Sequence, residues 1–231
     1  MATPKLRARQ AAGFIDGPDD ISAGVKALRR ACPIMRRVHD IAGDPPLRRQ
    51  PGGFEGLARI IVAQQLSTAS AAAIWKRVAE RVRPLGAAAM LAESDDGLRA
   101  AGLSGPKIRT LRALSEAVAR KQLDLRRLER LDDAEVHASL CAVKGIGPWT
   151  ADIYIMFSLG RADAFAHGDL ALQIAAQHAA GLDARPKPDA LSEMAERWRP
   201  WRGVAARLLW AYYPHMRATA VRDAVKPGQP V

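Results

Sequence analysis

The sequence predicts an all-α protein, and three observations carry that prediction. Apolar residues recur at three- and four-residue spacing in one segment after another, as on a helix with one buried face. No stretch alternates apolar and polar residues for long enough to make a half-buried strand, and no internal repeat is present. Gly, Pro, Ser and Asp fall between the periodic segments, where turns and helix caps need them. At 231 residues, 48% hydrophobic and 26% charged, the chain can bury a sizeable core, as one large domain or two smaller lobes.

Charge narrows the partners. A formal net charge of +11 points to a polyanion, either nucleic acid or an acidic membrane surface. Arginine outnumbers lysine, which suits phosphate contacts, although a GC-rich genome also favours Arg and Ala. The basic residues are spread over several helices and not along one amphipathic helix, which speaks against a membrane role. No apolar run is long enough to cross a bilayer. The opening residues MATPKLRARQAAG lack a secretory segment, and a flexible basic N-terminus is expected over 1–17. Cys32 and Cys141 are the two cysteines. They make no disulfide framework and no four-Cys zinc or iron–sulfur cluster, and they fit a reducing cytoplasm.

The elements follow in order. Asp19 or Asp20 caps a helix through Arg30, with Ile21, Val25 and Leu28 on one face. Pro33 opens a second, carrying Ile34, Val38 and Ile41. The run GDPPLRRQPGG at 43–53 is a break and a candidate lobe boundary. Phe54 to Leu66 is strongly apolar, with Leu57, Ile60, Ile61 and Leu66 on its stripe. Ser67 caps the next helix, through about Val82. Gln64-Gln65 therefore sits at a helix–helix corner, either as a solvated turn or as a polar wedge entering a groove. Short helices are expected over 84–91 and 95–103. SGPK at 104–107 then opens a longer one with Ile108, Leu111, Leu114 and Val118 buried and Lys107, Arg109, Arg112 and Arg120 making it basic. Asp132 and Glu135 form a capping box for the helix carrying Val136, Leu140 and Cys141.

Val143-Lys144-Gly145-Ile146-Gly147 is too short for a strand and supplies Gly where a positive φ is needed. With helices on both sides it reads as a helix-hairpin-helix. Backbone N–H groups at the start of the following helix suit a phosphate oxygen, and Lys144 adds charge. The helix from Pro148 to Leu159 is apolar nearly all round, with Asp152 its one charge, and is expected to be buried. The loop GRADAFAHGD then delivers Asp169 to the cap position of a helix through about Ala180. A cap carboxylate is rigid, which serves a helix and also serves chemistry. Near the C-terminus Val204, Ala205, Leu208, Leu209 and Tyr212 share one stripe, while Trp210 lies on the side of Gly203 and Ala206. Such a Trp packs against a second element or lines a cavity. The last residues, 224–231, are expected to be a disordered tail.

In this order, the corner Gln64-Gln65-Leu66-Ser67, Gly102-Leu103-Ser104 with Lys107, the hairpin Lys144 to Ala151, Asp169, and Trp198 through Trp210 resemble the helix-hairpin-helix DNA glycosylases of the 3-methyladenine DNA glycosylase II type. The resemblance covers about residues 20–215. It implies two helical lobes, about 54–165 and 18–53 plus 166–223, with a cleft between them. Asp169 matches the catalytic aspartate, and Trp149, Trp210 and Ile153 match positions lining the base pocket. Gln65 matches the residue that plugs the duplex and Ser67 a minor-groove contact. Lys107, Lys144, Gly145, Gly147 and Thr150 fall where the family holds the DNA backbone. The carbonyls of Val143 and Ile146 match a site for Na+ or K+. No cofactor or iron–sulfur cluster is required, and the expected state is a cytoplasmic monomer, nucleoid-associated if bacterial, acting on double-stranded DNA that contains damaged bases.

The departures matter as well. Relatives that also cut the strand have lysine where Trp149 stands, so the resemblance implies a monofunctional glycosylase. The sheet domain that precedes the core in some relatives is not expected here, since the residues ahead of Phe54 read helical. Alkylation at N3 or N7 makes a purine cationic and a good leaving group. The enzyme then needs a flipped base, an electron-rich aromatic pocket and one anion at the sugar. Two other readings remain: the same fold acting on another damaged or mismatched base, and a DNA-binding scaffold without catalysis.

Overall fold

A computed structural model describes residues 13–224, with side chains through residue 216. Of the tail expected at 224–231, Ala224 ends the last helix, and residues 225–231 lie outside the described residues, as do the first twelve. The described residues are helical, with no strand beyond one isolated bridge between Phe14 and Arg161. The described residues divide into two compact units, one made of 49–159 and one of those within 1–48 and 160–231.

The first helices belong to the discontinuous unit. α1 (Pro18–Ala31) buries Ile21, Val25 and Leu28, as the spacing predicts. Its cap differs from expectation. Gly17 is the N-cap, and Asp20 reaches back to accept from the backbone N–H groups of Asp16 and Gly17, both at 2.9 Å. α2 (Pro33–Ala42) buries Met35 and Val38, and Ile41 is 53% exposed. Residues 13–17, expected to be flexible, are docked in place. Ile15 is fully buried, its N–H donates to the Gly160 carbonyl at 2.7 Å, and Ala162 N–H donates to Gly13 at 2.6 Å.

The continuous unit runs from α3 (Gly53–Ala63) and α4 (Thr68–Arg81) through α5 (Ala87–Ala92), α6 (Asp95–Ala100) and α7 (Gly105–Ala119) to α8 (Asp133–Cys141) and α9 (Pro148–Ile153). Leu57, Ile61, Leu98, Leu111, Leu114, Val136 and Leu140 are fully buried there. α9 passes without a break into a π-helical segment, Tyr154–Leu159, all of whose residues are buried. The Tyr154 hydroxyl accepts from Gly53 N–H at 2.9 Å, satisfying a donor that α3 leaves open at its start. Arg49 donates to the carbonyls of Phe157 and Ser158 at 3.2 and 3.1 Å, and Gln50 N–H to Phe157 at 3.0 Å. The entry and exit of this unit are therefore tied together.

The chain returns to the other unit at Gly160. α10 (Leu170–Ala180) ends at Gly181, whose φ is +65°. α11 (Pro188–Ala195) follows, and α12 (Arg202–Ala224) completes the unit. Val204, Ala205, Leu208 and Leu209 are fully buried and Tyr212 nearly so, as their stripe predicts. α12 packs on α10, α2 and α1.

Candidate functional site

Within the continuous unit, α8, the turn and α9 form the predicted hairpin. Asp132 caps α8 by accepting from Glu135 N–H at 2.8 Å, and Glu135 returns the contact to Asp132 N–H at 3.1 Å. The turn closes through Ile146 N–H on the Val143 carbonyl at 3.0 Å. Val143 and Ile146 are buried and pin the turn, while Lys144 and Gly145 are exposed. Gly145 adopts φ +92°, as the sequence requires. Gly147 does not. It is an extended N-cap at φ −100°, ψ 175°, and a Cβ there would meet nothing within 4 Å.

The corner Gln64–Ser67 belongs to the same unit. α3 stops at Ala63, three residues earlier than the apolar pattern implies. Gln65 is exposed and holds φ +56°, a left-handed conformation uncommon for a residue with a side chain. Leu66, expected in the core, is 38% exposed. Ser67 is the N-cap of α4 and accepts from Ser70 N–H at 3.2 Å. Gln64, the first residue of the polar corner, donates Nε2 to Thr150 Oγ1 at 2.8 Å. Thr150 is only 2% exposed, and its side chain braces the corner against α9. Lys107 likewise has an internal partner. Its Nζ donates to the Val62 carbonyl in the last turn of α3 at 2.7 Å, and burial lowers its pKa. Arg112 turns onto the carbonyls of Met90 and Glu93 and the Asp95 carboxylate, so part of the basic face of α7 caps neighbouring elements.

Trp149 and Ile153 on α9 are half-buried. Asp152, 8% exposed, is pushed up to about 7 by burial. Its Oδ1 lies 3.7 Å from His137 Nε2, and its Oδ2 is buried with no hydrogen-bond partner. Cys141 sits by the same pair, its Sγ 3.7 Å from His137 Nδ1. Burial raises its thiol pKa first and the charge of Asp152 second. No group of three or more His, Cys, Asp or Glu side chains among the described residues could hold a metal ion.

In the other unit, Asp169 is the N-cap of α10, accepting from Leu172 N–H at 2.9 Å through Oδ1. The same oxygen accepts from Trp210 Nε1 at 3.1 Å. The loop before Asp169 is fixed at several points. Asp169 N–H donates to the Ala166 carbonyl at 2.9 Å, and the buried Gln173 donates to the His167 carbonyl at 3.2 Å. Arg202 Nε donates to Asp163 at 3.1 Å, and Arg199 pairs with the same carboxylate. The two residues singled out in this unit, Asp169 and Trp210, are thus in direct contact.

A family model described as the HhH-GPD superfamily of base excision DNA repair proteins matches residues 58–200. A solved DNA-3-methyladenine glycosidase from Bacillus halodurans is 33% identical, with a TM-score of 0.71, over 89% of this chain and 93% of that one. The 3-methyladenine DNA glycosylase Mag1 of Schizosaccharomyces pombe, solved in complex with abasic DNA, is 26% identical with a TM-score of 0.73, over 81% and 95%. A probable bifunctional transcriptional activator/DNA repair enzyme AlkA from Mycobacterium tuberculosis is 35% identical over 93% of this chain, and the match spans 44% of that relative's length.

Proposed function

Because the chain belongs to the HhH-GPD superfamily of base excision DNA repair proteins, we propose that it is a monofunctional DNA glycosylase. It releases alkylated purines such as 3-methyladenine and 7-methylguanine from double-stranded DNA, acting as a monomer. The observation that carries this reading is the Asp169 carboxylate. It is half-buried, locked as a helix cap and held by a second donor from Trp210. An anion so fixed suits stabilisation of the positive charge that develops on the sugar as the base leaves, and orientation of the attacking water.

The other roles are divided among the remaining residues. Gly147 has room beside it that no part of the chain fills, which suits close approach of a phosphate to the start of α9, with Lys144 adding charge. Gln65 stands exposed in a strained conformation, the state in which a residue serves a task other than packing. It would fill the gap left by a flipped nucleotide, whose extrusion costs a few kcal/mol. Ser67 combines its cap with a minor-groove contact. Trp149 and Ile153 would face the base. A residue at 149 without an amine cannot form a Schiff base with the sugar, so release of the base is the end of the reaction. No step passes through the cation.

The test is chromatography of bases released from methylated duplex DNA. Wild type should release 3-methyladenine or 7-methylguanine, leave the strand intact, and lose release on Asp169→Asn while still binding DNA. Robust release by the Asn variant removes Asp169 from the chemistry. Release of some other base from a lesion panel, with none from methylated DNA, replaces the substrate. Binding with no release from any lesion leaves only a scaffold.

A further inference from the structure

Two donors converge on one oxygen of Asp169, and they come from different parts of the unit. Leu172 N–H, at 2.9 Å, belongs to the first turn of the helix that Asp169 caps. Trp210 Nε1, at 3.1 Å, comes from α12, 41 residues further along. We infer that Trp210 is a positioning residue for the proposed reaction, acting through its indole N–H on the Asp169 carboxylate and not only as an aromatic wall for the base.

The physical case begins with torsions. The last torsion of an aspartate is broad and roughly two-fold, so one cap bond restrains Oδ1, and with it the carboxylate plane, only loosely. A second N–H arriving from another element narrows that plane. It is also a charge-assisted bond, which is stronger than a neutral one. The supports of the donor are themselves rigid. Ala206, Leu208 and Leu209 around it on α12 are fully buried. Gly203 N–H donates to the Ala162 carbonyl at 2.8 Å, tying the start of α12 to the loop that delivers Asp169. Tyr212 and His178 join the same two helices through a 2.6 Å hydrogen bond. Donor and acceptor are thus held by independent contacts, and the bond transmits that rigidity to the carboxylate. Preorganisation of this kind lowers a barrier because the group need not be gathered as charge develops.

The inference rests on the glycosylase reading, so its test separates the two. Wild type, Trp210→Phe and Trp210→Ala are compared in single-turnover base release from methylated duplex DNA, in affinity for duplex DNA carrying an abasic-site analogue, and in thermal midpoint. A further variant carries benzothienylalanine at 210, which keeps the fused ring and replaces N–H by sulfur. Loss of the N–H should slow release about 10- to 100-fold, the worth of one hydrogen bond to a charged group. The Phe and benzothienylalanine forms should show that loss with abasic-DNA affinity and midpoint near wild type. The Ala form should lose affinity as well. Wild-type release rates in the benzothienylalanine form would overturn the inference, because the ring alone would then suffice. A readout independent of activity is the indole Nε1–H resonance of Trp210, which should move upfield in Asp169→Ala. A resonance indifferent to Asp169 overturns the inference whether or not the protein releases a base. Absence of release by wild type, with the resonance shift present, overturns the glycosylase reading and keeps the bond.

Discussion

At Gly145, φ is +92° and a Cβ would lie 2.1 Å from Thr110 Oγ1. At Gly147, two residues on, the backbone is extended and a Cβ would meet nothing. Gly145→Ala should therefore destabilise the fold by about 2–5 kcal/mol, from backbone strain and overpacking together. Gly147→Ala should leave stability within about 0.5 kcal/mol yet weaken duplex-DNA binding roughly tenfold, the worth of one lost charge-assisted contact. Urea unfolding and fluorescence anisotropy on the same two variants check both halves, and a Gly147→Ala variant with unchanged affinity would remove the phosphate role. Single residues were legible in the sequence where local chemistry fixes them. The capping role of Asp169 and the off-stripe place of Trp210 were both readable, but their contact was not, because 41 residues separate them. Leu66 was misread because apolar periodicity does not reveal where a helix stops. The inward contacts of Lys107 and Arg112 were not legible, because sequence does not distinguish solvent from a neighbouring helix's open carbonyls.

At the scale of elements, α9 carries an acid into the core beside α8. Burial raises Asp152 from its ordinary 3.8 to about 7, so the folded chain keeps a proton that the unfolded chain releases above about pH 4. The contribution of Asp152 to stability accordingly falls as pH rises between about 4 and 7 and is level outside that window. The full difference is worth about 4 kcal/mol. Asp152→Asn stays neutral throughout and should flatten the decline, gaining stability over wild type at pH 8 and little at pH 4. Urea midpoints at the two pH values measure it, and parallel slopes for both proteins would dismiss the assignment. The Gln64–Thr150 bond is the brace between the corner and α9. Thr150→Val keeps the shape, removes the acceptor and should cost about 1–3 kcal/mol, readable as a lowered thermal midpoint. Helix existence and the buried stripes were legible from spacing. The switch from α to π geometry at Tyr154 was not, since a run apolar on nearly every side offers no period to lose.

Across the whole molecule, a net charge of +11 makes DNA affinity a function of salt. A protein making 6–10 phosphate contacts loses about 10³–10⁵ in affinity between roughly 50 and 200 mM salt. A titration over that range should give a steep linear fall of log K with log salt, and a flat line would rule out the proposed phosphate grip. The lobes expected at 54–165 and at 18–53 with 166–223 differ by a few residues at each crossing from the units the chain forms. Gly and Pro at 43–53 mark one crossing, and the structure puts it at 48/49, inside that run. The other falls at 159/160, where apolar sequence continues to Leu159 and Gly160, at φ +77°, turns the chain. These two crossings lie side by side, joined by Arg49 and Gln50 on the carbonyls of Phe157 and Ser158. In genetic terms, residues 49–159 form a cassette. A stretch of gene whose product starts and finishes at one spot can be exchanged for a relative's without re-routing the rest of the chain.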